Sequence, residues 1–186
     1  MADTQRDVPQ DAQSVIAFWK QAGPPKWFNK DDAFDAAFRE AFSALHVQAA
    51  RRELEYWMNT PDGALALLIL LDQYPRNAFR GTAHMFATDP LACFYARQMV
   101  DAGLDQRVEK PLRMFCYLPF EHSENVEDQR LSVRLNQALD PADFKWAREH
   151  AEIIERFGRF PHRNPLLGRT TTPDESAFLE AGGFAG

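Results

Sequence analysis

Residues 60–80 read TPDGALALLILLDQYPRNAFR, and the fold class of the chain follows from them. Thr60 offers a hydroxyl cap and Pro61 occupies the first helical position, where its missing N–H costs nothing. The residues that follow, GALALLILLDQY, are apolar on every face rather than on one stripe, which predicts a central, buried helix. Asp72 lies four residues after Leu68, on a face that is otherwise apolar, and Pro75 bends the chain just before Arg76, Asn77 and Arg80. A buried carboxylate within a turn of two guanidiniums predicts an ion pair, because an isolated buried charge is too costly.

Amphipathic helices are predicted on both sides of this segment. From Asp11, the residues Val15, Ile16, Phe18 and Trp19 form a helical stripe that Gly23 and Pro24-Pro25 end. Trp27 and Phe28 read as a packed turn, and Asn29 or Asp31 can cap the next helix. Phe34, Phe38, Phe42 and Leu45 then recur every three to four residues toward Ala50, and a shorter piece holds Leu54 and Trp57. Downstream, Asp89-Pro90 starts a helix stopped by Gly103, and a further helix carries Leu112, Phe115 and Cys116 until Pro119. Ser123 can cap a helix whose buried stripe is Leu131, Leu135 and Leu139. Asp140-Pro141 starts one whose inner face is Phe144, Ala147, His150, Ala151, Ile154 and Phe157, and Gly158 ends it. Thr172-Pro173-Asp174-Glu175 has the form of a capping box.

Nowhere do β-branched and polar residues alternate over a useful length. The expectation is an all-α fold of about eight to ten helices, arranged as a loosely held segment over 1–10 and one helical domain over 11–186.

Composition excludes several functions. The 186 residues are 45% hydrophobic and 26% charged, with fifteen Phe, four Trp and a net charge of -6. Such a chain supports a core, and its acidic balance argues against nucleic-acid binding, which draws its affinity from basic neutralisation of phosphate. The longest apolar run, Ala64 to Leu71, is far below the roughly 20 residues of a membrane span. Cys93 and Cys116 sit among apolar neighbours and read as reduced core residues. The residues MADTQRDVPQ lack the form of a signal peptide. A cytoplasmic location is expected, with no membrane partner.

Against that acidic background, residues 156–169, RFGRFPHRNPLLGR, gather four arginines with His162 and Asn164 and no acid. The cluster needs counter-charge, either from the protein's own acids or from a ligand. Arginine forks hold carboxylate or phosphate bidentately, so Arg159, Arg163 and Arg169 with His162 and Asn164 are the candidate wall of an anion site. Arg76 and Arg80 are a candidate opposing wall. The purely structural alternative pairs these arginines with Asp72, Glu121, Glu124 and Glu155, and pairs Arg156 with Glu152 one turn earlier.

His122 lies between Glu121 and Glu124 in YLPFEHSE, and His150 lies on an apolar helix face, so these two imidazoles are the candidate acid–base catalysts. Glu121, His122 and Glu124 could also ligate a divalent ion, but neither HExxH nor a paired Glu-x-x-His pattern is present, and no metal or cofactor is expected. Cys116 and Ser123 have no nucleophile-elbow context.

Four segments together carry a resemblance: LLDQYPRNAFRGTAHMFATDP (71–90), YLPFEHSE (117–124), AREHAEIIERFGRFPHRNPLLGRTTTPDESAFL (147–179) and the Trp27-Phe28 pair. They are similar to the bacterial family known as domain of unknown function 924, with Thr171 standing where a serine is usual in the LGR-x-ST run. The resemblance implies a tetratricopeptide-like helical superhelix or compact helical array, and it implies no reaction. Two functions are therefore expected: a polar cleft that binds a small anionic molecule, with chemistry at His122 or His150 if it is an enzyme, or a scaffold for a peptide or protein partner.

Overall fold

The computed structural model describes residues 8–186, and among them every regular element is helical. Of the loosely held segment expected over 1–10, residues 1–7 lie outside the described residues, and Gln10 already begins the first helix. The chain forms two compact units, the first from residues 8–80 and 84–119, the second from 81–83 and 120–186.

The first unit begins with α1 (Gln10–Ala22), α2 (Pro24–Trp27) and α3 (Asp32–Ala50). Asp31 caps α3 by accepting from the amides of Ala33 and Phe34, both at 3.0 Å. Trp19 and Phe38, both fully buried, pack against one another and against Phe34, which makes an aromatic centre for the α1–α3 pairing. A 3-10 turn (Glu55–Asn59) leads into α4 (Pro61–Leu68), where Thr60 Oγ1 accepts from the Gly63 amide at 3.1 Å. Gly63 is required there, because a Cβ would stand 2.4 Å from the Trp57 carbonyl oxygen. Every residue from Ala64 to Leu71 is buried, as the all-round apolar pattern predicts, and α4 packs against α1 and against α6 (Asp89–Asp101).

The expected bend at Pro75 takes a specific form. The helix widens to a π-turn over Ile69–Gln73, with the Tyr74 amide on the Ile69 carbonyl, before α5 (Tyr74–Ala78) resumes. Pro75 has no N–H to give to Leu70 or Leu71, so those carbonyls need donors from elsewhere. Leu70 O receives His46 Nδ1 at 2.9 Å and Leu71 O receives the Thr88 hydroxyl at 2.5 Å. Asp72 O receives Arg76 Nη1 at 2.7 Å. Since a carbonyl only accepts, His46 must carry its proton on Nδ1. Short 3-10 pieces (Ala83–Phe86, Asp105–Arg107 and Lys110–Cys116) and α7 (Leu118–Glu121) complete the passage to the second unit.

The second unit is built on α8 (Val126–Leu139) packed against α9 (Lys145–Phe157), followed by a 3-10 turn (Pro161–Arg163) and α10 (Pro173–Glu180). Its apolar cluster is Ile153, Ile154 and Phe160, flanked by Val126, Phe157, Phe178 and Phe184. Three local expectations differ from the structure. Asn125, not Ser123, caps α8, because Ser123 instead donates to Asp128. Leu131, Leu135 and Leu139 are only half-buried, while Asp128, Gln129 and Ser132 are the buried residues of α8. Asp140 makes a turn with Ala142, and α9 starts only at Lys145. The capping box forms as read, with the Glu175 amide donating to Thr172 Oγ1 and the Thr172 amide donating to the Glu175 carboxylate.

No helix among the described residues is long and apolar enough to cross a membrane.

Candidate functional site

In the first unit, Arg76 and Arg80 sit around the π-turn and are held by acids. Arg76 makes a fork on Asp89, at 2.8 and 3.0 Å, and lies 3.2 Å from Asp72, whose side chain is about as buried as the leucines beside it. Burial alone would lower the Arg76 pKa, but Asp72 and Asp89 outweigh it and raise it. Arg80 makes a second fork, on Asp35 at 2.9 and 3.2 Å, and Asn77 donates to the same carboxylate at 2.7 Å. Gln73 donates to Asp72 at 2.6 Å. The ion pair expected at this bend is present, with Asp35 and Asp89 as members that the local sequence does not point to.

In the second unit, the loop after α9 has the same residue types in a different state. Gly158 ends α9 in a left-handed conformation, and the chain turns away so that the later arginines leave the helix surface. Arg159 makes a fork on Glu175, at 2.6 and 2.8 Å, and Arg169 makes a fork on Glu124, at 2.9 and 2.8 Å. Glu175 also accepts from Asn164 at 3.2 Å and from the Thr172 amide at 2.8 Å, and the Arg159 fork holds its pKa down at about 2. Burial works to raise the Glu124 pKa, but Arg169 and the Phe160 amide outweigh it. Arg163 is buried, lies 4.4 Å over the Phe160 ring, and donates to the His122 carbonyl at 3.0 Å. Arg156 rests on Phe157 and Phe178 rather than pairing with Glu152, which faces Arg148 instead. Glu175 is the partner that reading the loop alone misses; its signal was the capping box, which fixes a carboxylate at that position.

The imidazoles converge within this unit. The rings of His122 and His150 are 6.5 Å apart, and Phe160 stands 5.4 Å from His150 and 5.7 Å from His162. Phe184 lies 4.4 Å from His150 and 5.1 Å from His162. His150 is 6% exposed; its Nδ1 donates to the Trp146 carbonyl one turn back at 2.9 Å and lies 3.7 Å from the buried Glu121 carboxylate. The carbonyl places a proton on Nδ1, so in the neutral ring the lone pair is on Nε2, the arrangement of an imidazole base oriented from behind. Gln129 fixes the Glu121 segment by donating to the carbonyls of Glu121 and Ser123, at 2.7 and 2.6 Å. Burial, with Arg163 beside it, lowers the His162 pKa to about 4, so this ring is neutral at pH 7.

Three buried polar atoms in this loop have no hydrogen-bond partner, His162 Nδ1, Asn164 Oδ1 and the Nε of Arg163, whose guanidinium donates through Nη2 to the His122 carbonyl. Asn164 is 0% exposed, and an unsatisfied buried acceptor costs about 1–3 kcal/mol. No group of three or more His, Cys, Asp or Glu residues among the described residues is placed to hold a metal ion, and Glu121, His122 and Glu124 do not make one. Cys116 is buried and burial raises its pKa, which suits a core thiol and not a nucleophile.

A family model described as a bacterial protein of unknown function, DUF924, matches residues 15–183. A solved structure of a protein of unknown function from Agrobacterium tumefaciens is 52% identical, with a TM-score of 0.87, over 92% of this chain and 97% of that one. No curated protein matches.

Proposed function

The chain belongs to the bacterial DUF924 family, and from that premise, which brings a fold and no reaction, we propose that it binds a small anionic molecule at His162 and Asn164 in the second unit. The observation that carries this reading is the pair of buried, unsatisfied atoms His162 Nδ1 and Asn164 Oδ1, two residues apart in a loop held rigidly by its own ion pairs. A polar group supplied from outside would satisfy both.

The charges around the pair define the class of ligand. Arg159 and Arg169 are each matched by a glutamate, so a multiply charged phosphate would meet little uncompensated positive charge. A monocarboxylate bearing a hydroxyl fits better: the hydroxyl donates to Asn164 Oδ1, and a single negative charge asks for no unmatched arginine. In this reading Arg159 and Arg169 set the shape of the loop, and Arg76 and Arg80 set the bend of the first unit. If chemistry follows binding, His150 Nε2 is the base, with Glu121 and the Trp146 carbonyl orienting the ring, and His122 is the second acid–base candidate. The setting we propose is the cytoplasm, where Cys93 and Cys116 stay as thiols.

The test is a thermal-shift screen of small hydroxy acids, simple carboxylates and phosphorylated metabolites. At a ligand concentration of about 100 Kd the site should gain about 2.7 kcal/mol of stability. The gain should vanish in Asn164→Leu. No stabilisation by any of these anions removes the proposal.

The second reading, a scaffold with a tetratricopeptide-like surface, is supported by Tyr56 and Phe94, two exposed aromatic side chains of the first unit. It predicts a stoichiometric protein partner and no response to small anions.

A further inference from the structure

The segment that follows α10 reads Ala181-Gly182-Gly183-Phe184-Ala185-Gly186, and it lies back across the histidines. Gly182 has φ +83°, a turn that L side chains rarely adopt, and it reverses the chain immediately after the helix. Beyond it, the Phe184 ring contacts His150 at 4.4 Å, His162 at 5.1 Å and the exposed Trp146 at 6.4 Å. Gly186 follows along the same surface, where a Cβ would stand 3.1 Å from His162 Cδ2. The segment therefore covers the base proposed above and the ring with the unsatisfied Nδ1; the amides of Gly182 and Gly183 bond back to the Leu179 and Phe178 carbonyls at 3.1 and 3.0 Å, and beyond that turn the cover is made by ring contacts. None of the side-chain hydrogen bonds or ion pairs described in this unit ties it down.

We propose that Gly182–Gly186 is a strap that closes the histidine site, with Phe184 as its latch and the Gly182-Gly183 pair as its hinge. The strap rests on the reading of His150 and His162 as a binding site. It supplies what that site needs, a cover that excludes water when closed and a route for a small molecule when open. Its chemistry suits opening. A single aromatic side chain is the anchor, two glycines precede it, and the residues on either side of Phe184 bring almost no apolar area of their own. The rings it covers have polar edges, so exposing them to water costs less than exposing an aliphatic face.

The experiment needs no ligand, which separates failure of the strap from failure of the binding proposal. The full chain is treated with diethyl pyrocarbonate, which acylates neutral imidazole, and each histidine is followed by mass spectrometry. His84, exposed in the first unit, is the reference, and His46, buried there, reports global opening. Phe184→Ala is expected to raise the rate at His150 about tenfold relative to His84 and to leave His46 slow, as local opening predicts. An unchanged His150 rate overturns the strap. Because Phe184 also touches the apolar cluster of its unit, the wild-type chain is measured in parallel at rising urea below the unfolding midpoint. A His150 rate that stays flat in urea supports local opening of the strap. A rate that climbs with urea in step with His46 means that His150 is reached only by unfolding, and overturns it.

Discussion

Two regions of this protein are built from arginine, carboxylate, asparagine and histidine around a proline, and they end in different states. At the bend of the first unit the set is closed. The carbonyls that Pro75 strands on Leu70 and Leu71 are met by His46 and Thr88, and Arg76 and Arg80 each have their acids. None of the buried polar atoms lacking a partner among the described residues belongs to this bend. In the loop of the second unit, Arg159 and Arg169 are matched just as well, yet the side-chain atoms left over include His162 Nδ1 and Asn164 Oδ1. Charge pairing is therefore not what separates the two. Completeness of hydrogen bonding is, and we read the incomplete set in the second unit as the place for a ligand.

The largest effect should fall on the closed side. Asp72→Ala leaves Arg76 buried with half its counter-charge and should cost about 4 kcal/mol in urea unfolding. A loss below 1 kcal/mol would mean that the bend does not depend on its ion pairs.

Next in size is the effect of pH. Between about 6.5 and 4 the unfolded chain takes up a proton that the folded His162 does not, so stability should fall as pH is lowered through that window, by about 2 kcal/mol in all given the partly open ring. Glu175, held down at about 2, keeps its contribution above its unfolded pKa and loses it only below about pH 4.5, so the two windows separate. In His162→Gln the slope between pH 6.5 and 4 should flatten while the lower window stays. Denaturant midpoints taken every half pH unit read both.

Thr88→Val tests the closed set at a single hydrogen bond. It removes the donor to Leu71 O and should cost about 1–2 kcal/mol, because the carbonyl stays buried with nothing to accept from. The smallest change belongs to the open set. Asn164→Leu gives up the contact to Glu175 but also removes the unsatisfied acceptor, so stability should move by less than about 1 kcal/mol while the response to anions disappears. A large destabilisation here would make Asn164 a structural residue and erase the contrast.

Much of the fold was legible in the residues themselves. The buried helix at 63–71, the aromatic face of α3, the Gly158 stop and the capping box at Thr172 are set by local periodicity and capping chemistry, and all appear where the pattern places them. The π-turn was not legible. A proline at the end of an apolar helix announces a bend, but its form depends on His46 and Thr88, which lie 29 residues before and 13 residues after Pro75. Charge partners were hidden for the same reason: Asp35 is 45 residues from Arg80 and Glu124 is 45 residues from Arg169. For α8, the leucine stripe misled because Gln129 and Asp128 are used to fix the loop at 121–123, which buries polar residues in place of apolar ones. The histidine grouping was half legible. His150 on an apolar face marked itself, but the unsatisfied Asn164, to which the site reading now points most directly, emerges only once every neighbour has been accounted for.

The most direct test of the central claim observes the imidazoles themselves. Nitrogen-detected NMR of the five histidines during titration with small hydroxy acids, carboxylates and phosphates should show His162 and His150 shifting together and saturably with at least one hydroxy acid, while His46 stays fixed. If every addition leaves His162 and His150 where they are, the second unit holds no small-anion site and its unsatisfied pair belongs to the fold alone.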